Sequence, residues 1–170
     1  DEDQQEIDEA MKRIRETEVN LDKIRGALVG GAVGDALGYP IEFWGEEQIF
    51  GKYGERGITE YELDSFTGKA LISDDTQMTL FTANGLLVGD TRGAMRGIQS
   101  WPRHYVAQAY QDWLYTQEYP FDKQKILDRR RNYSCRSWLA AVPEIYSNRA
   151  PGNTCLSALS AQKNGKGLAN

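Results

Sequence analysis

The stretch Ile24–Gly38 reads IRGALVGGAVGDALG, and its run of apolar and small residues decides how the chain is interpreted. It predicts a buried helix over residues 22–38, with Asp22 as the N-cap and Leu28 and Leu37 among its larger apolar groups. Each glycine costs a helix up to about 1 kcal/mol relative to alanine, so packing must compensate. The small side chains would let another helix or a ligand approach the backbone closely.

Helical spacing of apolar residues recurs downstream, and no segment shows the alternation typical of a strand. Residues 39–72 are rich in glycine and turn residues and predict a loop with one short helix near Glu46–Phe50. Ser137 and Asn153 are candidate N-caps, and Arg129–Arg131 is interpreted as a solvated loop. The fold class is therefore predicted to be all-α, with further helices over residues 76–89, 103–117, 137–146 and 154–163.

Residues 1–20 differ from the rest of the chain, and we assign them to a separate N-terminal extension. The segment begins with a strongly acidic run, and Ile7, Met11 and Ile14 then repeat at helical spacing. This pattern predicts a weakly amphipathic helix. It is either a solvated, frayed extension or a segment that docks on a partner. Residues 21–170 form the second unit of this division.

The composition limits the classes of function. A net charge of −5 argues against a nucleic-acid-binding protein, because such proteins neutralise phosphates with basic residues. The most apolar stretch is short and contains Asp35, so it does not predict a membrane span. Cys135 and Cys155 form neither a CxxC pair nor a zinc pattern, and the first residues do not resemble a signal peptide. These features predict a cytoplasmic protein with reduced thiols.

The segment Ser73–Met78 reads SDDTQM and enters the second predicted buried helix. Capping alone would explain one acid, with Gln77 reaching back to the start of the helix. Two adjacent carboxylates are more than capping requires, and they repel each other. A hard cation would relieve that repulsion. Ser73, Asp74 and Asp75 offer the oxygen ligands that Mg²⁺ prefers, so metal binding and simple capping both remain open.

Three further residues are candidates for chemistry. Glu42 lies between Ile41 and Phe43, where a carboxylate can act as a general acid or base, although an exposed loop glutamate is the simpler interpretation. Asp35 can orient neighbouring groups or simply hydrogen-bond the following loop. His104 is the only histidine, so it is interpreted as an ordinary residue at a helix start.

Three segments in this order and spacing resemble the ADP-ribosylglycohydrolase family, which includes the dinitrogenase-reductase-activating glycohydrolases. They are residues 24–38 running on to Glu42, residues 73–78, and residues 149–159, which read RAPGNTCLSAL. The resemblance covers residues 22–170. It implies an orthogonal all-helical bundle around a centre of two Mg²⁺ ions, with Mn²⁺ as an alternative.

The resemblance also implies roles for individual residues. Ser73, Asp74 and Asp75 correspond to the metal ligands, and Glu42 and Asp75 to the catalytic residues. The implied activity is removal of ADP-ribose from modified proteins, usually by cleavage of an N-glycosidic bond to arginine. Family domains are longer and carry a later Asp-x-Asp-[Thr/Ser] segment that does not follow Leu159. We therefore expect a bundle truncated at its C-terminus, with residues 21–170 as the N-terminal part of the domain.

Two other functions remain open at this point. The extension could insert into the active site of a partner such as an ADP-ribosyltransferase toxin, in which case the protein is an immunity or regulatory factor. Alternatively, the chain is a catalytically inactive relative that keeps only the fold.

Overall fold

The computed structural model describes residues 2–97 and 101–164, and the side chains of residues 2 and 3 lie outside the description. The described residues form helices and contain no strand, which confirms the predicted all-α class. The α-helices are α1 (Glu2–Gly38), α2 (Glu46–Tyr53), α3 (Asp74–Arg96), α4 (Pro102–Glu118), α5 (Lys123–Arg131) and α6 (Asn153–Lys163). Short 3-10 helices cover Tyr39–Ile41, Trp138–Ala141 and Pro143–Tyr146.

The main core lies where α3 packs on α4. Phe81 of α3 and Trp113 of α4 are both fully buried, because their apolar faces meet between the two helices. Ile145 and Leu159 from the later helices close the same cluster. Burial of a large aromatic side chain stabilises a fold by about 1.5–3 kcal/mol. The α3–α4 pair is therefore the frame on which the other elements are positioned.

Two glycines set the distance between α3 and α4. A Cβ atom at Gly85 would lie 2.8 Å from the Cα atom of Val106, and one at Gly89 would lie 2.8 Å from the Tyr105 ring. Both contacts are closer than non-bonded carbons allow. Any larger side chain at Gly85 would push against backbone, so this crossing requires glycine.

Beside a second, smaller core lies a buried polar network that the sequence does not predict. Asp112 of α4 is 3 % exposed and accepts hydrogen bonds from the backbone N–H groups of Arg136 and Ser137, each at 2.9 Å. Burial raises the pKa of Asp112, and these amides and the Arg129 guanidinium oppose the rise. Burial likewise raises the pKa of the nearby Cys135 thiol to about 12.

The prediction of a buried helix over residues 22–38 is wrong in two respects. Asp22 is not an N-cap, because α1 runs without interruption from Glu2 to Gly38. The helix is also largely exposed: Val29 is 62 % and Val33 48 % exposed, and only Ala36 is buried. The boundary placed at residue 20 falls inside a continuous helix, and the division into an extension and a domain stays a prediction.

Several local predictions also need correction. Arg129–Arg131 is not a loop but the last turn of α5, where Arg129 stacks 4.0 Å from the Tyr115 ring. Gly152, not Asn153, is the N-cap of α6. The helix predicted over residues 137–146 is two 3-10 turns, because Pro143 interrupts the backbone hydrogen bonds. Ser137 does precede the first of these turns, but its side chain makes no cap hydrogen bond.

The remaining helices largely follow the prediction. The short helix expected near Glu46–Phe50 is α2, and His104 lies in the first turn of α4. None of the helices in the described part of the chain combines the length and apolarity needed to cross a bilayer.

Candidate active site at the start of α3

Ser73 immediately precedes α3 and is its N-cap. The residue has an extended backbone conformation, and its Oγ atom accepts a hydrogen bond from the N–H group of Asp75 at 3.1 Å. This arrangement satisfies one of the amide groups that a helix leaves unpaired at its N-terminus. The expectation that Gln77 reaches back to this start is wrong, because its side chain points into the core and donates to the Ser147 carbonyl oxygen at 3.0 Å.

Asp35 connects the end of α1 to the start of α3. Its Oδ2 atom accepts hydrogen bonds from the backbone N–H of Ser73, at 2.9 Å, and from the hydroxyl group of Thr76. The two alternatives for Asp35 were a group that orients its neighbours and a group that bonds the following loop. The observed contacts bridge two helices and orient the SDDTQM segment, which favours the first alternative.

Asp74 is buried, with 7 % of its surface exposed, and faces the loop before α6. Its N–H group donates to the carbonyl oxygen of Arg149 at 3.0 Å. Burial raises the pKa of Asp74, with a further contribution from the charge of Asp75, while the Gly152 amide opposes the rise. The structure therefore joins the second and third segments of the sequence resemblance through the backbone of Asp74.

Asp75, unlike Asp74, is exposed. It lines a cavity of about 330 Å³ between α1 and α3. Asp35 lies in the wall of the same cavity, as do the small residues Gly31 and Ala32 of α1. Because residues 75, 76 and 79 of α3 share this wall, the cavity also has two hydroxyl groups, those of Thr76 and Thr79.

Glu42 completes a group of carboxylates at this end of the molecule. It follows the 3-10 turn Tyr39–Ile41 that ends α1, and its side chain is exposed. Desolvation raises the pKa of Glu42, and the negative charges of Asp74, Asp75 and Asp35 raise it further, in that order. Since so exposed a group loses little hydration, we attribute more weight to the repulsion from the three aspartates than to desolvation.

The chemistry of this site fits a hard cation. The side chains offer only oxygen donors, and the mutual repulsion that raises two of their pKa values is what a bound cation would relieve. Within residues 2–97 and 101–164, however, no three or more His, Cys, Asp or Glu side chains are arranged to hold a metal ion. The Ser73 Oγ atom keeps one lone pair after it caps the helix, so it can still bind a cation. The predicted ligands Ser73, Asp74 and Asp75 therefore have suitable donor atoms, but they do not form a complete coordination shell.

A family model described as ADP-ribosylglycohydrolase matches residues 16–170, which is most of the chain. The chain belongs to the ADP-ribosylglycohydrolase family. This result confirms the resemblance inferred from the three sequence segments, and it confirms the all-helical fold class of that family.

This member of the ADP-ribosylglycohydrolase family is similar in sequence to a curated bacterial protein. The chain is 37 % identical over 74 residues to a protein of Escherichia coli (strain K12) described as "Uncharacterized protein YegU". The match covers 41 % of this chain and 22 % of the relative, so the chain spans about a fifth of that protein's length. No solved structure matches the chain significantly.

The structure brings together most of the residues that the sequence singles out in this ADP-ribosylglycohydrolase-family chain. Glu42, Asp35, Asp74 and Asp75 influence one another electrostatically, whereas His104 lies elsewhere, on α4. The sequence analysis gives no role to Thr79. Its spacing of four residues from Asp75 on a helix is the signal that would have found it.

Proposed function

We propose that this chain contributes to the active site of a metal-dependent hydrolase that removes ADP-ribose from modified protein side chains. The observation that carries the proposal is the clustering of the Glu42, Asp74 and Asp75 carboxylates at the start of α3, where Asp75 lines a cavity, in a chain of the ADP-ribosylglycohydrolase family. The ADP-ribosylated protein would be its macromolecular substrate.

Ser73, Asp74 and Asp75 are proposed to hold the metal ions, which the family resemblance implies are two Mg²⁺ ions. The exposed carboxylate of Asp75 is free to meet a cation from the cavity, and Asp74 would approach from the side of α6. Asp35 would act through Ser73 by fixing its backbone. Bound Mg²⁺ would supply Lewis acidity toward the ribose hydroxyl groups.

Glu42 and Asp75 are proposed as the catalytic residues. Hydrolysis forms a bond between the anomeric carbon and the oxygen of water, and breaks the bond from that carbon to the substrate nitrogen, which leaves with a proton. Glu42 would take the proton from water at a carboxylate oxygen. A carboxylate beside the reacting centre can act as a general base in this way. Asp75 would accept a hydrogen bond from the same water and so orient it.

The bond cleaved is proposed to be the N-glycosidic bond to arginine. This assignment comes from the usual chemistry of the family that the chain resembles. Hydrolysis of ADP-ribosyl-arginine, compared with hydrolysis of an O-linked ADP-ribosyl-serine peptide, would decide it.

The test compares Asp75→Asn with Asp90→Asn, because both residues are exposed acids on α3 and Asp90 lies outside the cavity. We expect Asp75→Asn to lose about 100-fold or more of the Mg²⁺-dependent release of ADP-ribose and to weaken Mg²⁺ binding in calorimetry. Asp90→Asn should leave both unchanged. Equal activity and equal Mg²⁺ affinity in the two variants would exclude the proposed roles of Asp75.

A second candidate function rests on the exposed N-terminal part of α1. Ile7 is 55 %, Met11 47 % and Ile14 52 % exposed on one side of this helix. Such a stripe is typical of a helix that docks in the groove of a partner. On this alternative the protein neutralises an ADP-ribosyltransferase, with or without hydrolysis.

Deletion of residues 1–20 separates the two functions, because Asp75 and the cavity at α3 are not in that segment. If the extension is the docking segment, the deletion should abolish inhibition of the transferase and leave Mg²⁺ binding intact. Unchanged inhibition after the deletion would contradict the alternative.

A further inference from the structure

A second cavity, of about 360 Å³, opens between the C-terminal half of α3 and the segment that follows α5. At a rise of about 1.5 Å per residue, Arg92 lies about 25 Å along α3 from Asp75, so this cavity is separate from the candidate active site. Its lining residues are Leu87, Val88, Thr91, Arg92, Arg136 and Trp138.

Two arginines share this cavity without a counter-charge. The Nε atoms of Arg92 and Arg136 are buried and have no hydrogen-bond partner among residues 2–97 and 101–164. In the described part of the chain, neither guanidinium group lies within ion-pair distance of a carboxylate. The chain as a whole carries a net charge of −5, so acids are not scarce. Placing two cations in one cavity costs free energy that a bound anion would offset.

The walls of this cavity are held in place by buried contacts. Asn84 is 1 % exposed, and its Oδ1 atom accepts a hydrogen bond from the Ser137 hydroxyl group. The backbone N–H groups of Arg136 and Ser137 are fixed by Asp112, each at 2.9 Å. Asn84 Nδ2 is also buried and unpaired, one helical turn before Val88 in the wall. The segment that carries Arg136 is therefore anchored to α3 and α4, which fixes one wall of the cavity, as recognition of a small ligand requires.

Trp138 adds a flat apolar surface to the cationic one. Its side chain is 51 % exposed at the edge of the cavity, beside Leu87, which is 59 % exposed. Guanidinium groups bind phosphate oxygens in pairs of hydrogen bonds, and indole rings stack on planar heterocycles. We propose that this cavity binds a phosphate monoester carried on a planar ring system, that is, a mononucleotide.

The experiment titrates the full chain with adenosine monophosphate and, separately, with inorganic phosphate, by calorimetry in the presence of EDTA. EDTA excludes binding through divalent metal ions at the start of α3. The proposal predicts that the mononucleotide binds. Arg92→Gln and Arg136→Gln should each raise its Kd roughly tenfold or more, because each removes a charge-assisted hydrogen bond. Trp138→Ala should raise the Kd of the mononucleotide and leave that of inorganic phosphate unchanged.

Arg131→Gln is the matched control, since Arg131 is an exposed arginine on α5 that forms an ion pair with Asp128 and does not line this cavity. It should bind the mononucleotide as the parent does. Arg136→Lys keeps the charge, and it should bind more tightly than Arg136→Gln; it also replaces that variant if glutamine prevents folding.

Three results would overturn the proposal. The first is no binding of the mononucleotide by the parent, and the second is equal affinity in the parent and in Arg92→Gln. The third is loss of binding in Asp75→Asn with binding retained in Arg92→Gln, which would place the ligand at the start of α3 instead.

Discussion

Two helices of this protein are rich in glycine, and they use it differently. On α3, a Cβ atom at Gly85 or Gly89 would collide with α4 at 2.8 Å. On α1, no described residue outside the local helix backbone lies within 4 Å of a Cβ atom built at any of its five glycines, Gly26, Gly30, Gly31, Gly34 and Gly38. The same residue type thus marks a close helix crossing in one place and open space in the other.

Glycine content alone therefore does not identify a packed helix face. Glycine allows another element to pack close to the helix backbone, but it shapes the packing only where such an element is present. On α3 that neighbour is the backbone at Val106, whereas the described residues put no partner over the glycines of α1. The glycines of α1 therefore cost helix stability without a compensating contact in this structure.

The strongest test of this contrast is Gly85→Ala. The added methyl group would meet the Val106 backbone at 2.8 Å, and backbone cannot move aside as a flexible side chain can. Overpacking of this kind should lower the free energy of unfolding by about 3 kcal/mol, which exceeds the gain of about 1 kcal/mol in helix propensity. Urea denaturation followed by circular dichroism measures it. An unchanged midpoint would show that α3 and α4 do not cross as closely as described.

The next largest effect concerns the hydrogen bonds through which Asp35 of α1 holds the start of α3. Asp35→Ala removes the acceptor of the Ser73 amide and the Thr76 hydroxyl group, and should lower the free energy of unfolding by about 1.5 kcal/mol. Asp22→Ala is the control, because Asp22 is an exposed acid of the same helix, and its one ion pair among the described residues, with Arg25, is 4.0 Å long. Equal urea midpoints for the two variants would argue against a structural link at Asp35.

The helices that the sequence predicts well are those whose burial follows from local periodicity. Apolar spacing finds α3 and α4 because Phe81 and Trp113 recur on faces that do become buried. The continuity of α1 through Asp22 is harder to predict, since a residue typical of an N-cap also tolerates a helix interior at a cost well below 1 kcal/mol. Residues 123–131 had a usable signal, because Asp122 precedes a run of good helix formers and does cap α5.

In the candidate site, too, the contacts between residues near in sequence can be predicted, whereas those between residues far apart in sequence cannot. The sequence suffices to predict that Ser73, Asp74 and Asp75 begin a helix, because capping involves residues two or three positions apart. It does not predict that Asp35 fixes the Ser73 amide, a contact across 38 positions, or that the Asp74 N–H group donates to the Arg149 carbonyl oxygen. These contacts depend on how α1 and α6 are placed by the α3–α4 core.

A smaller effect of opposite sign is expected on α1. Gly30→Ala meets no atom within 4 Å, so only the gain in helix propensity remains. We expect the free energy of unfolding to rise by about 0.5–1 kcal/mol, measured as for Gly85→Ala. A loss of stability would reveal a neighbour over this face of α1, and would remove the contrast between the two helices.

The smallest effect comes from the charge at the start of α3, in the pH dependence of stability. The pKa of Asp74 is raised above its ordinary value of 3.8, mainly by burial, so the unfolded chain loses this proton at lower pH than the folded one. Stability from this group is complete below about pH 4 and falls as the pH rises through the raised value. Asp74→Asn should lack this fall, whereas Asp90→Asn should keep it. Saturating Mg²⁺ should reverse its sign in the parent, because a cation binds the deprotonated carboxylate. A fall that persists unchanged with Mg²⁺ would mean that Asp74 shapes the start of α3 without meeting a metal.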